Sequence, residues 1–265
     1  MSSSRTEDLA RITRALELAR EVAEQFRPGA ERVDHKESGD PVTDADRAVN
    51  EILLETLPQP GEGWLSEETV DDDRRLECSR VWVVDPIDGT KEFTQAIPEW
   101  CISVGLVEMG RAVAGGICNP QTGETIIGSV ETGVTFNGEA CRVSRDPLDG
   151  GVVLASRSEV KRGEWERFKE EAFEVVPMGS VAYKMGRVAA GLAECTWTLV
   201  PKHEWDVAAG VALIEAAGGE VFTLEGKRPE FNRSHPKFNG LLAGPGNGGD
   251  ARWSEYLSGL VVRAT

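Results

Sequence analysis

The chain has 265 residues, 40% of them hydrophobic, which is enough to bury a core for one large domain or two smaller ones. Its 45 acidic and 29 basic residues give a formal net charge of −16, which argues against a nucleic-acid-binding surface, because such surfaces hold phosphate backbones with lysine and arginine. The charge still permits one small phosphate to bind, since a metal ion reverses the local sign of a carboxylate-lined pocket. For the surface as a whole, solubility accounts for the acidity.

The cysteines and the N-terminal segment indicate the cellular compartment of the protein. Five cysteines are widely spaced without a C-x-x-C pair, so neither a zinc site nor a disulfide framework is indicated. The segment M-S-S-S-R-T-E-D lacks the apolar run of a signal peptide. No stretch approaches the ~20 apolar residues of a membrane span. We therefore predict a cytoplasmic protein with reduced thiols and no membrane segment.

The chain begins with two helical patterns. Apolar residues recur at helical spacing over 6–27, and Pro28 and Gly29 end that helix. A second helix is predicted from Thr43 to Leu57, because the T-x-x-D spacing at its start resembles a capping box. Short apolar runs bounded by turns then predict buried strands at 81–84, 102–107, 112–118 and 124–130, and a tight turn at Asn137–Gly138.

From about residue 150, strands and helices alternate. The predicted strands are 151–156, 174–178, 220–224 and 240–243. The predicted helices lie near 163–173 and 180–191, from Trp205 onward, and near 250–261. Such a mixture predicts sheets layered between helices. We expect a division near residue 140 without a flexible linker, giving domains 1–140 and 141–265 that pack tightly.

The strongest chemical signal is the segment W-V-V-D-P-I-D-G-T-K-E-F at 82–93. A buried strand delivers Asp85 at its end, and Asp88 follows closely enough for both carboxylates to converge. Gly89 allows a close backbone approach, and a helix starting at Thr90 would offer free N–H groups to an anion. Two carboxylates beside such a helix end suit a hard cation that bridges to a phosphate ester. Taken alone, the spacing also fits a strand followed by a turn in which Asp88 caps a helix.

Three further segments contain acidic residues. Glu67 and Glu68 follow the short apolar run W-L-S, as at a strand end, although paired glutamates also occur in solvated turns. Asp44 and Asp46 lie in the first turn of a predicted helix, where the helix dipole favours acids in any case. Asp206 opens a nearly apolar helix, E-W-D-V-A-A-G-V-A-L-I-E-A-A-G-G, where a dipole cap is the ordinary alternative.

Together these segments resemble the inositol monophosphatase superfamily of magnesium-dependent, lithium-sensitive phosphatases. The resemblance covers most of the chain in the same order: G-D-P-V-T-D-A-D, S-E-E, D-P-I-D-G-T, and W-D-V-A-A-G with E-A-A-G-G. The D-P-I-D-G-T and W-D-V-A-A-G pair is highly specific. The resemblance implies an α+β fold, a layered α-β-α-β-α sandwich of the sugar phosphatase type, and a homodimer.

The resemblance also implies two or three Mg²⁺ ions. Glu67, Asp85 and the backbone carbonyl of Ile87 would hold one ion, and Asp85, Asp88 and Asp206 a second, with Glu67 helping to hold a third. Such ions neutralise a phosphate monoester dianion and lower the pKa of bound water, so no protein nucleophile is required. With only three histidines and no G-x-x-x-x-G-K-[ST] loop in the chain, histidine-based and P-loop architectures are disfavoured.

Catalytic and substrate-binding roles follow from the same resemblance. Glu67 and Thr90 would act on the attacking water, with Asp46 hydrogen-bonded to Thr90, while the N–H groups of Gly89 and Thr90 cradle the phosphate. Lys36 lies in a polar loop that can fold over the site in such enzymes, although a free surface lysine is the favoured interpretation. The substrate-binding residues expected on this basis are Asp88, Gly89, Thr90, Gly179, Ser180, Lys184 and Asp206.

Finer motifs bear on the substrate. S-R-S at 156–158, G-S-V-A-Y-K at 179–184 and K-E-F after D-G-T resemble the 3′(2′),5′-bisphosphate nucleotidase branch. Ordinary strand ends and helix caps also explain the first two. Leu199 stands where many inositol-specific members place a glutamate. Lys202 and His203 would meet a second phosphate, or else lie in solvent. These motifs favour adenosine 3′,5′-bisphosphate as the substrate.

Two alternatives stay open at this stage. One is an inositol-1-phosphate or broad-specificity sugar-phosphate phosphatase. The other is a catalytically silent family member that acts as a binding or regulatory protein, which the complete set of acidic residues disfavours. The sequence therefore predicts an enzyme that acts on a small phosphorylated metabolite, with no nucleic-acid or membrane partner.

Overall fold

The protein is described by a computed structural model over residues 5–35, 41–145, 148, 150–246 and 259. Lys36 and most of the predicted helix at 250–261 lie outside the described residues. The α-helices bounded within the described ranges are α1 (Arg5–Ala23), α2 (Asp44–Thr56), α3 (Thr90–Thr94), α4 (Arg157–Lys161), α5 (Val181–Ala189) and α6 (Glu204–Ala216). None of the helices in these ranges combines the length and apolar composition needed to cross a bilayer.

Two large sheets organise the strands. The first half of the chain contributes β1 (Val33–His35), β2 (Pro41–Thr43), β3 (Gly63–Ser66), β4 (Arg80–Asp88), β5 (Cys101–Glu108), β6 (Arg111–Asn119), β7 (Glu124–Ser129), β8 (Gly133–Phe136) and β9 (Glu139–Cys141). The second half contributes β10 (Val152–Ser156), β11 (Glu174–Met178), β12 (Cys195–Thr198), β13 (Lys202–His203), β14 (Gly219–Thr223), β15 (Lys237–Phe238) and β16 (Leu241–Pro245).

The seven-stranded sheet runs β3-β4-β5-β6-β7-β8-β9 in sequence order. Strand β3 pairs in parallel with β4, and the later strands form an antiparallel meander. Both faces of β4 are covered, which explains its nearly continuous apolar run. Helices α1 and α2 cover one face, where Leu16 and Leu53 belong to the same apolar cluster as Trp82 and Val84.

The opposite face packs against the second half of the chain. Helices α5 and α6 contribute to a second apolar cluster that also includes Val83 from β4 and Leu154 from β10. Strand β10 belongs to a five-stranded sheet with the order β11-β10-β12-β16-β14. A third cluster, containing Trp165 and Phe168, packs on the outer face of that sheet. The layers therefore alternate α-β-α-β-α, and the predicted layered α+β fold is confirmed, whereas the domain boundary near residue 140 stays a prediction.

One predicted helix is wrong. The segment near 163–173 contains only a 3₁₀ helix at Glu166–Phe168, and the α-helix lies earlier, at α4. Gly163 has a φ of +78° and follows the end of α4, so the chain turns there. Trp165 and Phe168 then pack against Trp197 with ring centroids 4.9 and 5.4 Å away. Burial of these rings determines the local conformation more than helix propensity does.

Helix α6 lies unusually close to the seven-stranded sheet. A Cβ atom at Gly105 would lie 2.8 Å from the Cβ of Ala208, and one at Gly115 would lie 2.8 Å from the carbonyl oxygen of Ala209. Real Cβ atoms essentially never approach so closely. Because Gly105 on β5 and Gly115 on β6 have no side chain, the backbone of α6 packs directly on the sheet. This close packing determines where the first turn of α6 lies.

We expect Gly115→Ala to destabilise the protein by about 1–3 kcal/mol, because the new methyl group meets helix backbone that cannot rotate away. Chemical denaturation measures the free energy of unfolding. Ala140→Val, which adds bulk at an exposed position of β9, serves as the control and should change stability by less than about 0.5 kcal/mol. Equal effects of the two substitutions would contradict the close approach of α6.

Candidate active site

The site begins at the end of β4, where the regular pairing of β4 with β5 is interrupted. Strand β4 pairs with β5 as far as Asp85 opposite Ser103, and the register then shifts before Asp88 meets Cys101. The irregularity turns the chain, and the backbone N–H of Ile87 donates to the Asp85 carboxylate at 3.1 Å. Asp85 is only 1% exposed. Two carboxylates thus lie at the same end of a buried strand, as the sequence predicts.

Two other elements bring acids to the same point. Because β3 runs parallel to β4 with Ser66 opposite Val84, Glu67 emerges beside Asp85. Asp206 arrives from the first turn of α6, where its carboxylate accepts the backbone N–H of His203 at 2.8 Å. One carboxylate oxygen from each of Glu67, Asp85 and Asp206 lies within 4.8 Å of the other two.

The electrostatics of this cluster are unfavourable without a cation. Burial, then the charges of Glu67, Asp88 and Asp206, raises the pKa of Asp85 well above its usual value. Burial, with the charge of Asp88, also raises the pKa of Asp206 to about 7. Carboxylate oxygens in this arrangement are the donors that a hard divalent cation prefers. The chemistry of the donor set therefore fits Mg²⁺.

Asp88 is oriented from the opposite side by α5. Its Oδ2 atom accepts the Ser180 hydroxyl and the Ala182 backbone N–H, both at 2.6 Å. Ser180 takes a left-handed φ of +54° as the cap of α5, and its Oγ also accepts the backbone N–H of Tyr183. Burial raises the pKa of Asp88 despite these hydrogen bonds. The head of α5 thus holds one carboxylate oxygen of Asp88.

The Thr90 hydroxyl forms a buried contact with Asp46. Its hydroxyl is 3.2 Å from the Asp46 carboxylate and 3.1 Å from the carbonyl oxygen of Ile87. The other Asp46 oxygen accepts the N–H and hydroxyl of Thr43, at 2.7 and 2.6 Å, which is the predicted capping box of α2. Asp46 is 1% exposed, and burial raises its pKa. Gly89, the residue before Thr90, has a φ of +101°, and a Cβ atom there would lie 3.0 Å from the backbone carbonyl oxygen of Glu99.

Lys184 is held inside the protein. Its ammonium donates to the carbonyl oxygen of Ser180 at 2.8 Å and lies 3.4 Å from that of Met178. The side chain is 3% exposed, and burial lowers its pKa to about 8, although the charge of Asp88 opposes that change. The backbone N–H of Gly179 donates to Glu99 at 2.7 Å. Both predicted substrate contacts therefore already have partners within the protein.

The acidic cluster, Asp88, Thr90 and Ser180 border one cavity of about 450 Å³, whereas Asp46 and Glu99 do not line it. The acidic cluster lies on one side, and Lys91, Arg157, Lys184 and Lys202 also line the cavity. Leu199, by contrast, packs against the aromatic cluster on the outer face of the five-stranded sheet. The arrangement combines a cation site with positive groups, which suits a small anionic substrate.

Known proteins match this chain over nearly its whole length. The model of the inositol monophosphatase family matches residues 5–257. The chain belongs to the inositol monophosphatase family. Members of this family hydrolyse phosphomonoesters, and the protein is accordingly a phosphatase.

Individual relatives agree with this assignment. A protein of Thermotoga maritima named fructose-1,6-bisphosphatase/inositol-1-monophosphatase is 31% identical over 243 residues, covering 88% of this chain and 92% of its own length. An inositol-1-monophosphatase of Mesorhizobium japonicum is 33% identical over 207 residues, covering 74% and 76%. The solved structure of a Thermotoga maritima IMPase has a TM-score of 0.82 at 25% identity, with 98% of each chain covered.

Sequence reasoning missed several residues of this inositol monophosphatase family site. Lys91 and Glu92 line the cavity directly after the D-P-I-D-G-T segment, and burial raises the pKa of Glu92. Glu99 forms an ion pair with Arg157 and accepts the N–H of Gly179. The K-E-F letters pointed to the first two residues, but no local pattern joins Glu99 to its partners, which lie far along the chain.

The raised pKa of Asp206 makes stability depend on pH when metal is removed. Between its ordinary value of 3.8 and about 7, the folded state retains a proton that the unfolded state has released. In EDTA, we therefore expect the free energy of unfolding to fall as the pH rises through this range. Asp206→Asn should reduce that fall. Chemical denaturation at about pH 5 and about pH 7 measures it.

The exposed residue Asp44 provides the control for this measurement, because Asp44→Asn removes a carboxylate that pairs with Arg47 at the surface. This variant should keep the wild-type dependence on pH. If Asp206→Asn also kept the wild-type dependence on pH, the pKa of Asp206 would not be raised in the folded protein.

Proposed function

We propose that the protein is a magnesium-dependent phosphatase that hydrolyses a small phosphorylated metabolite. The convergence of Glu67, Asp85 and Asp206 is the observation that supports this function best. Glu67, Asp85 and the carbonyl of Ile87 would hold one Mg²⁺, and Asp85, Asp88 and Asp206 a second, with Glu67 contributing to a third. When bound, the metal neutralises the phosphate dianion and lowers the pKa of water.

The chain's own groups would position the reactants. Asp46 is fixed by its capping hydrogen bonds and accepts a hydrogen bond from the Thr90 hydroxyl. The lone pairs of the Thr90 oxygen can then accept a hydrogen bond from the attacking water, which orients that water toward phosphorus. The backbone N–H groups of Gly89 and Thr90, at the start of α3, would hold the phosphate oxygens.

Asp88→Asn should lower kcat/KM by at least about 100-fold, because loss of a metal ligand costs more than loss of its hydrogen-bonding partners, which alone costs 10–100-fold. Phosphate release with Mg²⁺ and with EDTA measures the effect. Asp44→Asn on the exposed side of α2 is the matched control and should retain wild-type turnover. Full activity of Asp88→Asn would contradict the assignment of Asp88 as a metal ligand.

For the substrate, we favour adenosine 3′,5′-bisphosphate, which makes the protein a 3′(2′),5′-bisphosphate nucleotidase. The support is the group of positive side chains around the cavity, since a substrate with two phosphates needs cationic partners beyond the metal. Lys202 is close enough to influence the pKa values of Asp88 and Asp206. Its ammonium is the candidate for the second phosphate.

The alternative is an inositol-1-phosphate or broad-specificity sugar-phosphate phosphatase. The relatives named inositol-1-monophosphatase and fructose-1,6-bisphosphatase/inositol-1-monophosphatase favour it. Leu199, which is packed into the aromatic cluster rather than toward the cavity, disfavours an inositol-specific enzyme, because no carboxylate lies there for the sugar hydroxyls. A non-enzymatic binding protein is not proposed, since the chain belongs to a family of phosphatases.

Lys202→Ala separates these substrates. We expect the KM for adenosine 3′,5′-bisphosphate to rise about tenfold or more, since a charged hydrogen bond contributes about 1.5–3 kcal/mol. The kcat/KM for inositol-1-phosphate should change little. Lys169→Ala, at an exposed lysine away from the cavity, is the matched control. A tenfold preference of the wild-type protein for inositol-1-phosphate would establish the alternative.

Three further properties are proposed from the family resemblance. We infer that the enzyme forms a homodimer, acts in the cytoplasm and is inhibited by Li⁺. Light scattering of the purified protein tests the oligomeric state, and phosphate release in the presence of LiCl tests the inhibition.

A further inference from the structure

Helix α2 presents two polar side chains to the interior, one turn apart. Asp46 is 1% exposed and Asn50 is 8% exposed. Residues spaced by four lie on the same face of a helix, so both side chains point toward the seven-stranded sheet. Asp46 contacts Thr90, as described above. Asn50 has no role in the proposed chemistry, yet an amide is buried only where its hydrogen bonds are satisfied.

The Asn50 amide binds the segment that contains Glu67. Its Oδ1 atom accepts the hydroxyl of Ser66 at 2.6 Å, and its Nδ2 donates to the hydroxyl oxygen of Thr69 at 3.2 Å. Thr69 also accepts the indole N–H of Trp64 at 3.1 Å. The Ser66 oxygen in turn accepts the backbone N–H of Glu68 at 3.2 Å. One buried amide therefore ties down residues on both sides of Glu67.

The sheet also holds the backbone of Glu67. Ser66 is the last residue of β3 and pairs with Val84, and the N–H of Glu67 lies 3.4 Å from the carbonyl oxygen of Val84. The next residues leave the sheet, so β4 alone does not determine the direction of the turn. The hydrogen bonds of Ser66 and Thr69 to Asn50 hold this turn from the helix side.

We propose that Asn50 is a positioning residue for the magnesium site, acting through Ser66 and Thr69 on the backbone that presents Glu67. On this basis, α2 orients both sides of the site, with Asp46 holding Thr90 and Asn50 holding the Glu67 turn. The proposal rests on the proposed function, because Glu67 is assigned there as a metal ligand. Groups that orient a ligand are needed because a displacement of about 1 Å is enough to weaken a functional site.

Isothermal titration with Mg²⁺ alone tests the proposal. Asn50→Ala should raise the Kd for Mg²⁺ about tenfold, the effect typical of losing a group that orients a ligand. At saturating Mg²⁺, its kcat should return close to the wild-type value, since Asn50 does not line the cavity. Asn50→Asp retains an acceptor for the Ser66 hydroxyl and should bind Mg²⁺ no more weakly than the wild-type protein.

Ser66→Ala removes the same hydrogen bond from its other end, so the proposal stays testable if Asn50→Ala fails to fold. The double variant should bind Mg²⁺ no more weakly than the weaker single variant, because both changes break one connection. Asn119→Ala is the matched control: Asn119 is a buried asparagine that binds Pro98, Gln121 and Thr122 and does not line the cavity. It should lower the melting temperature without changing the Kd.

A purely structural role makes a different prediction. Asn50→Ala would then lower the melting temperature as Asn119→Ala does and leave the Kd for Mg²⁺ unchanged, and this result would overturn the proposal while leaving the proposed function intact. If the wild-type protein itself failed to bind Mg²⁺, the proposed function would fail first, and the role of Asn50 with it.

Discussion

The confinement of several carboxylates in one buried place is the constraint on which the rest of this structure depends. Glu67, Asp85 and Asp206 present oxygens within 4.8 Å of one another. Burial and the charges of neighbouring carboxylates raise the pKa of Asp85 and of Asp206. Free side chains would move apart. The fold must therefore hold each acid through its backbone, and three different elements do so.

Each of these elements is itself fixed by close packing. Strand β4 is covered on both faces, and β3 is paired with it in register, so Asp85 and Glu67 emerge side by side. Helix α6 rests against Gly105 and Gly115 without intervening side chains, which determines the position of Asp206. The acids are thus placed by apolar contacts and strand pairing, and a metal-dependent chemistry becomes available as a consequence.

Much of the site follows from local patterns. The capping box of α2, the buried strand that carries Asp85 and the apolar helix that begins near Asp206 are encoded in neighbouring residues and are confirmed. The tight turn at Asn137 and Gly138 is also confirmed, with both residues at positive φ. The helix predicted near 163–173 was wrong because the aromatic rings of this segment pack against a strand that lies far along the chain. Short strands such as β12 and β13 were missed, since two to four residues carry too little periodic signal.

The sequence by itself determined which residue types were present, where helices and strands had strong periodicity, and that four acidic segments of one family occurred in order. Only the tertiary structure decided which carboxylates meet, because β3, β4 and α6 approach one another through contacts between distant residues. The same holds for Asn50, whose partner Ser66 lies on another element. Hydrogen bonds between distant residues depend on packing, and no spacing along the chain encodes them.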